Sequence, residues 1–411
     1  MADIIQFHVL TAFPPHNVNR DEDGRPKTCV YGGRTRGRIS SQAKKRALRF
    51  APHFPAAGRA TRTREAGIKT FRALVQAGID RDSAAWAALT VNFALGGGGK
   101  LPTREEAVSL VTPTKKKEID DRDKAIAKVA AETGCDRAAA ELSVLERALG
   151  TDQGLVVGTV EFRRLDEAIA ELTGAWHRDP AGFPEILAAW VKTLGKTGLL
   201  TDADRDLDTA LFGRMVAARP DFNVEAACAV SHAFTTHEFA VEGDYFSAGE
   251  ELNELGGTGA AITSYAFFGG GVYYQHAVLN VTDLRENLGS AARAAEACDL
   301  FLNGLVFAQP QGKRNAFASD TAAIYVLASR GEDPALSLGL AFLDPVSTRQ
   351  DPVLASIERL ESFHATLREA YGLRNETMVF NAYPPARRGN APVAPEVWGF
   401  EELRRFVVGA P

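Results

Sequence analysis

The sequence predicts an α+β protein whose elements follow the β-α-β-β-α-β order of a ferredoxin-like domain, with a helical insertion. Three observations lead to this prediction. A strand with alternating side chains at Ile5 to Thr11 precedes a basic helix that begins after Ser40 or Ser41. Alanine-rich helical periodicity runs from about residue 59 to residue 208. Strand-like sequence returns after residue 208.

The first strand should be partly buried on both faces, because apolar residues occupy both sets of alternating positions. We expect the segment AFPPHN, residues 12–17, to end the strand, since a Pro-Pro pair cannot continue a ladder of hydrogen bonds. A loop should then lead to the basic helix.

The basic helix, SQAKKRALRFA, is predicted to have two unlike faces. At 100° per residue, Ala43, Ala47 and Phe50 share one side, which should pack on a sheet. The opposite side carries Ser41, Lys45 and Arg49 and could meet a ligand.

Later elements are less regular. Five segments have strand-like sequence: 208–217, 226–241, 269–281, 322–329 and 336–343. Residues 242–261 are polar and glycine-rich, which indicates an excursion from the sheet. One long helix is predicted at 284–308 and a C-terminal helix at 352–372.

Charge is distributed unevenly along the 411 residues, whose formal net charge is −5. Residues 20–49 contain ten basic and three acidic side chains, a net charge of +7, so the rest of the chain carries −12. Such a basic block on an acidic protein is typical of a polyanion-binding surface, although a solvated, salt-bridged surface has the same composition. Glycines among the arginines of GGRTRGRISSQ favour phosphate binding, because they let backbone amides approach an anion.

Several function classes are disfavoured by the sequence. The four cysteines are widely spaced, so neither a disulfide scaffold nor a zinc ribbon is expected. The amino end lacks a signal-peptide pattern, and no stretch has the roughly 18 apolar residues of a membrane span. We therefore expect a cytoplasmic protein without membrane contact. GGGGKL at 96–101 departs from the phosphate-binding P-loop pattern at two positions, and no cofactor or metal ion is expected.

His232 and His237 in SHAFTTHEF are the strongest candidates for catalysis. Either could serve as the general base of a metal-independent endoribonuclease. Five residues apart on one strand, however, they should point to opposite faces, and no third group has a useful spacing. The sequence therefore favours binding over catalysis, and both histidines are interpreted as ordinary strand residues.

A long set of motifs resembles a known family. HVLTAFPPHNVNRDEDGRPKT, followed by YGGRTRGRISSQAKKRALR, is similar to the N-terminus of the CasC (Cse-four) family, the backbone subunit of the type I-E CRISPR Cascade. Further similar motifs are LFGRM, SHAFTTHEF, GDYF with EELNELG, LRENLG and GKRNAFA. They cover the sheet-like parts of the chain, whereas the helical insertion is much less diagnostic.

The resemblance implies a right-hand-like protein whose palm is a modified RNA-recognition-motif fold. Fingers would be the helical insertion, and the thumb an extended loop or hairpin. The implied divisions are palm at 1–58, fingers at 59–208, palm at 209–231, thumb at 232–262, and the remaining palm with a C-terminal helix at 263–411.

The resemblance also implies a function. Members of the family are non-catalytic scaffolds that polymerise along CRISPR RNA. Their implied partners are that RNA, neighbouring copies of the same chain, other Cascade subunits, and target DNA through the guide RNA. A sequence-specific RNA-binding protein is a third possibility, and it differs by preferring one RNA sequence.

The motifs carry implied RNA-binding positions. Some of these positions match phosphate contacts of the family, and others are plausible neighbours or neutral hydrogen-bonding groups. Together they are Arg20, Lys27, Arg38, Ser40, Gln42, Lys45, Arg46, Arg49, Lys313 and Asn315. Arg46 could instead form a structural ion pair. Lys44 stands where relatives commonly have an apolar residue, which implies added charge near the RNA.

Three further positions are implied outside the basic segment. Met215 matches a family position beside a displaced base, where an apolar side chain acts as a wedge; otherwise it would be a core methionine. Thr236 and Phe246 are weaker candidates for thumb contacts with a neighbouring subunit's RNA.

Overall fold

The structure is a computed structural model that describes residues 3–249, 260–383 and 397–409. The chain divides into a sheet unit, Met1–Ala56 with Ala226–Pro411, and a helical unit, Ala57–Glu225. Within the described ranges, every helix is too short or too polar to cross a lipid bilayer.

The amino-terminal part of the sheet unit contains three strands and the basic helix. In order these are β1 (Ile4–His16), β2 (Thr28–Tyr31), β3 (Arg34–Ile39) and α1 (Ser41–Arg49).

The helical unit consists of helices with one short two-stranded ladder, β4–β5. Its elements are β4 (Thr61–Thr63), α2 (Ala66–Gln76), α3 (Arg81–Ala94), α4 (Arg104–Val111), α5 (Lys116–Thr133), α6 (Arg137–Ala148), β5 (Leu155–Val157), α7 (Thr159–Arg178), α8 (Phe183–Thr197), α9 (Leu207–Phe212) and a 3-10 turn at Pro220–Phe222.

The carboxy-terminal part completes the sheet unit. Its elements are β6 (Cys228–Val230), β7 (Ala233–Thr235), β8 (Glu242–Gly249), β9 (Ala260–Asn280), α10 (Val281–Leu288), α11 (Ala291–Phe307), α12 (Arg314–Phe317), β10 (Ala323–Gly331), a 3-10 helix at Leu338–Phe342, α13 (Pro352–Tyr371), β11 (Glu376–Asn381), β12 (Val397–Trp398) and α14 (Phe400–Val408).

The sheet has the strand order β12-β11-β10-β1-β9-β7-β3-β2, and β6 and β8 also pair with β9. At its centre, β10, β1, β9 and the β6–β7 segment are antiparallel neighbours. Along the chain, α1 and the helical unit come between β1 and the β6–β7 segment, and α10 and α11 come between β9 and β10. The α+β class and the β-α-β-β-α-β order are therefore confirmed.

Strand β1 is buried on both faces, as its sequence predicts. The Phe7 ring packs against Phe301 of α11 on one face, with centroids 5.9 Å apart. On the other face the His8 ring lies 6.5 Å from His364 of α13. The strand ends within the predicted segment 12–17, but after the Pro-Pro pair and not at it. The strand continues to His16, because a shift in register between Phe13 and His16 leaves both prolines outside the paired positions.

Two predicted strands are helical instead. The first half of 208–217 lies in α9, the second half has no regular structure, and residues 336–343 contain the 3-10 helix. Short buried apolar runs have no periodicity that separates a strand from a helix, and both segments are such runs. The predicted long helix at 284–308 is two helices, since Gly289 ends α10 with a φ of +62° and Ser290 caps α11.

Ala43 packs against the core cluster that holds Ile39 and Tyr273, so helix α1 uses part of the predicted face. Its buried residues are Lys44, Leu48 and Arg49, whereas Phe50 is half exposed. Leu48 lies against Gly304 of α11, where a Cβ would come within 2.2 Å of Leu48 Cγ. The predicted face omits Lys44, because lysine is a polar residue in the helical pattern. Its alkyl stem is buried, and Nζ donates a 2.6 Å hydrogen bond to Oε1 of Gln309.

The helical unit continues beyond the predicted boundary at residue 208, to Glu225. Val216 packs in its apolar core. Arg214 and Glu161 form a buried ion pair of 2.7 Å, and further Arg214 donors bond the carbonyls of Phe222 and Thr201. These contacts attach residues 209–225 to the helices.

We expect Arg214→Ala to lower the free energy of unfolding of the helical unit by about 3–5 kcal/mol, because it leaves the Glu161 carboxylate buried without its cation. Chemical denaturation followed by tryptophan fluorescence measures this change. Most of the signal comes from the helical unit, which holds three of the four tryptophans: Trp86, Trp176 and Trp190.

The matched control for this variant is Lys69→Ala, which breaks the exposed ion pair with Asp166. Its effect should stay within about 1 kcal/mol. Equal effects of the two substitutions would contradict the structural role of the buried pair.

Burial lowers the pKa of Lys44 to about 7. The unfolded chain therefore binds one more proton than the folded chain between pH 7 and pH 10, and the stability contributed by this position rises with pH. In urea titrations, the free energy of unfolding of wild type relative to Lys44→Met should increase by about 2 kcal/mol from pH 7 to pH 9. Parallel pH profiles of the two proteins would show that Lys44 is solvated.

Candidate nucleic-acid interface

The amino end of α1 is fixed by two side chains. The Ser40 hydroxyl accepts a 3.3 Å hydrogen bond from the Ala43 amide and so caps the helix. Asn19 Oδ1 accepts a 2.9 Å hydrogen bond from the Ser40 amide, which ties the preceding loop to the cap. Ser40 is buried, so the hydroxyl that the resemblance assigned to RNA has a structural role in this chain.

The β2–β3 hairpin sends its arginines to different environments. Gly32 and Gly33 form its turn, both with positive φ. Arg36 is completely buried, and its guanidinium donates to the carbonyls of Thr235 and Phe342 at 2.9 Å. Arg38 is only half-buried and remains at the surface. One of the most central cations of the basic segment therefore stabilises the fold instead of meeting a ligand.

His232 joins the surface at the end of α1. Its Nδ1 accepts hydrogen bonds from the Ser41 amide and from Arg38 Nη1, each 3.3 Å long. Burial lowers the pKa of His232, and the charges of Arg38 and Lys27 lower it further. The imidazole is therefore neutral at pH 7, with its proton on Nε2.

The loop before β2 forms a second part of the surface. Asp21 Oδ1 accepts from the amides of Asp23 and Arg25, which closes a tight turn, and Arg20 pairs with Pro26 across it. Arg20 is exposed and Lys27 is half-buried. Asp21, one of the three acidic residues within the basic segment, therefore shapes the loop in which Arg20 is exposed.

The GKRNAF loop lies directly beside this turn. A Cβ on Gly312 would approach the carbonyl oxygen of Val18 within 2.6 Å, so only glycine fits the contact. Lys313 follows with a φ of +54°, and both Lys313 and Asn315 are exposed. Arg314 instead pairs with Asp320 at 2.9 Å. Two implied RNA-binding segments, far apart in sequence, are therefore neighbours.

The outer side of α1 carries the remaining cations. Gln42 and Arg46 are exposed, and Lys45 is half-buried. Arg46 has no ion pair with any carboxylate in the described ranges; its guanidinium lies 4.7 Å from the centroid of the Phe50 ring. The structural ion pair considered for Arg46 is thus absent from the described residues. Arg49 is 6% exposed and turns inward, so the predicted ligand-facing row ends at Lys45.

The predicted thumb contains an antiparallel hairpin of β8 and the first part of β9. Tyr245, Phe246 and Tyr265 are exposed on it, and the two tyrosine rings lie 5.2 Å apart. Part of the predicted segment, residues 250–259, lies outside the described residues. Thr236 is wrong as a thumb contact, because it is completely buried and its hydroxyl bonds Ser356 Oγ at 2.8 Å.

Met215 belongs to the helical unit and is 80% exposed. The alternative of a core methionine is therefore wrong. The buried Arg214 beside it anchors the segment that presents this apolar side chain to solvent.

His237 is fully engaged within the fold. Nε2 accepts from the Val272 amide at 3.1 Å, so Nδ1 donates to the Glu238 carbonyl at 2.7 Å. Burial lowers the pKa of His237. Its imidazole cannot act as a general base without breaking these bonds. Of the two histidines that the sequence singled out, only His232 lies at the basic surface.

Sequence reasoning missed the positions that shape the surface. Asn19 and Gly312 act through contacts between loops, which no local pattern reveals. His232 was recognised, but its bonds to the end of α1 depend on β3 pairing with β7. No local pattern signals the burial of Arg36, which stands between Thr35 and Gly37, whereas the apolar residue that the resemblance places at position 44 is a signal for the burial of Lys44.

Comparisons with known proteins agree with this architecture. The sequence profile of the CT1975-like protein family matches residues 5–396. A chain of a CRISPR RNA-guided surveillance complex in a pre-nicking state aligns with a TM-score of 0.74 and 24% identity, over 99% of each chain. A chain of another CRISPR RNA-guided surveillance complex aligns with a TM-score of 0.57 and 20% identity, again over 99% of each. No curated protein matched, and at these identities the solved structures establish a shared fold. Because the family profile spans nearly the whole sequence, the chain belongs to the CT1975-like protein family.

Proposed function

We propose that this chain is an RNA-binding subunit that polymerises along CRISPR RNA and forms the backbone of a type I-E surveillance complex. The observation that carries the proposal is the cationic surface around the amino end of α1. Its exposed or half-buried members are Arg20, Lys27, Arg38, Lys45, Arg46 and Lys313. The similarity to subunits of RNA-guided surveillance complexes supports the same role.

This surface suits phosphates better than bases. The amino end of α1 and the cations of Arg38 and Lys27 lie close to His232, and such groups recognise a charged backbone of any sequence. Gln42 adds a neutral hydrogen-bonding group beside the cap. A scaffold of this kind holds the guide RNA and leaves base edges to pair with target DNA.

The hairpin of β8 and β9 provides a means of assembly. Its exposed aromatic side chains extend from the sheet unit and suit a contact with the next copy and the RNA held there. When one patch meets a different patch on the next copy, the chain of contacts stays open and follows the RNA. Other subunits of the complex would then limit its length.

The proposed role is non-catalytic. An endoribonuclease remains the second candidate because His232 is neutral and lies among cations, as a general base for RNA cleavage would. Its Nδ1, however, already accepts two hydrogen bonds from the protein, which leaves only the protonated Nε2 toward solvent.

We expect Arg46→Ala to weaken binding of single-stranded RNA to a similar extent for all sequences. The slope of log affinity against log salt should fall by roughly 0.7, the value for one lost phosphate contact on a single strand. Fluorescence anisotropy with three unrelated RNAs at several salt concentrations measures both quantities.

Lys128→Ala is the matched control, because it removes an equally positive, exposed side chain from α5. It should leave the slope unchanged. If both variants gave the wild-type slope, Arg46 would not contact phosphate. Cleaved RNA in the wild-type reaction but not with His232→Ala would favour the endoribonuclease.

The double substitution Tyr245→Ser and Phe246→Ser should prevent several copies from assembling on a long RNA. Both side chains are exposed, so the monomer should stay folded and still bind a short RNA. Sedimentation on RNAs of increasing length detects the loss of higher species. Tyr371→Ser, at an exposed tyrosine of α13, is the control. Normal assembly by the double variant would contradict the role of the hairpin.

A further inference from the structure

His232 lies at the basic surface, but the scaffold proposed above gives it no contact with RNA. The residue is exposed and stands directly before β7. Because Ala233 of β7 pairs with Ile39 of β3, His232 lies beside the first residues of α1. One ring nitrogen therefore faces the helix, and the other faces away from it.

The hydrogen bonds of His232 determine which ring nitrogen carries the proton. Nδ1 accepts from the Ser41 amide and from Arg38 Nη1, each at 3.3 Å, so it bears no proton. The proton of the neutral ring is then on Nε2, at the opposite edge of the imidazole. Within the described ranges Nε2 has no protein acceptor, so this donor is available to a ligand.

The surroundings of His232 favour a ligand that supplies an acceptor. Arg38 also donates to the Thr28 carbonyl, and neither Arg38 nor Lys27 pairs with a carboxylate in the part of the chain that the structure describes. Burial lowers the pKa of His232, and the charges of Arg38 and Lys27 lower it further. An imidazolium would lose both hydrogen bonds at Nδ1 and be repelled by two cations, so the ring stays neutral.

We propose that His232 Nε2 donates a hydrogen bond to a backbone oxygen of the bound RNA, as a neutral contact among cations. The acceptor is a phosphate oxygen or the oxygen of a 2′-hydroxyl group, and both recur at every nucleotide. The proposal rests on the RNA-binding function above and assigns a further contact to that surface. Because the sugar-phosphate backbone is the same for every base, this contact leaves the surface indifferent to RNA sequence.

A neutral donor and a cation have different effects in salt titrations. Loss of a cation that neutralises a phosphate lowers the slope of log affinity against log salt, because fewer counterions are released on binding. Loss of a neutral hydrogen bond lowers the affinity by the same factor at every salt concentration and leaves the slope as in wild type. His232 should behave in the second way.

Two substitutions in the full-length protein separate the outward donor of His232 from its inward acceptor. His232→Asn keeps an oxygen near the position of Nδ1, which can accept from Ser41 and Arg38, but has no donor at the position of Nε2. It should weaken binding of a short fluorescent RNA about threefold to tenfold at each salt concentration, as measured by anisotropy. His232→Gln places an amide N–H near the position of Nε2 and should bind within about twofold of wild type.

The matched control is His177→Asn, at an exposed histidine of α7, which should bind RNA as wild type does. Wild-type affinity of His232→Asn would overturn the proposal, because the inward acceptor alone would then suffice. A slope lower by roughly 0.7 in that variant would contradict it as well, since His232 would then carry charge. Equal weakening by His232→Asn and His232→Gln would also refute it, because the restored donor would have no effect.

A series of RNAs, each with one 2′-deoxy nucleotide, identifies the acceptor. If one such position removes the difference in affinity between wild type and His232→Asn, the acceptor is that 2′-hydroxyl oxygen; a difference that persists throughout the series assigns it to a phosphate oxygen. Absence of any salt-dependent RNA binding by wild type would overturn the proposed function. Normal salt-dependent binding by wild type, with no effect of His232→Asn, would overturn this contact alone.

Discussion

The junction between β3 and α1 determines the geometry of the whole basic surface. Asn19 holds the Ser40 amide, Ser40 caps the helix, and His232 accepts from the next amide. These hydrogen bonds connect three segments that are distant in the chain. They direct the end of the helix and Arg38 toward the same side, which is what recognition of a phosphate requires. Without these hydrogen bonds, the basic residues would still be close in sequence, but nothing would orient them toward one side of the protein.

The charge of the segment overstates the charge of its surface. Arg36, Lys44 and Arg49 are buried, so three of the ten basic side chains are not displayed to a ligand. Arg36 joins β3 to β7 and to the 3-10 helix, and Lys44 orients the amide of Gln309. The added charge near RNA that the resemblance implied at Lys44 is therefore wrong. Some basic residues of the segment pack inside the fold and others lie at the surface, and composition cannot separate the two groups.

Sequence was a reliable guide where a residue acts through local pattern or a long motif. The central strands, the serine cap of α1, predicted at Ser40 or Ser41, and the exposed Met215 follow from such signals. Sequence was an unreliable guide where tertiary contacts decide whether a residue is buried or where a strand ends. The proline pair stays within β1 because a register shift accommodates it, and Thr236 is buried because α13 covers it. The close contact between Gly312 and Val18 likewise depends on loops that the sheet brings together.

Strand β9 is continuous from the centre of the sheet into the hairpin, and it passes through Gly269, Gly270 and Gly271 at the transition. A Cβ on Gly269 would lie 2.2 Å from the Phe239 ring, so this crossing point is tightly packed. On the sheet side, pairing with β1 fixes the register of β9 independently of the length of the hairpin on the other side of the glycines. An insertion or deletion in the hairpin would therefore change how far it extends and leave the register of the central strands as it is.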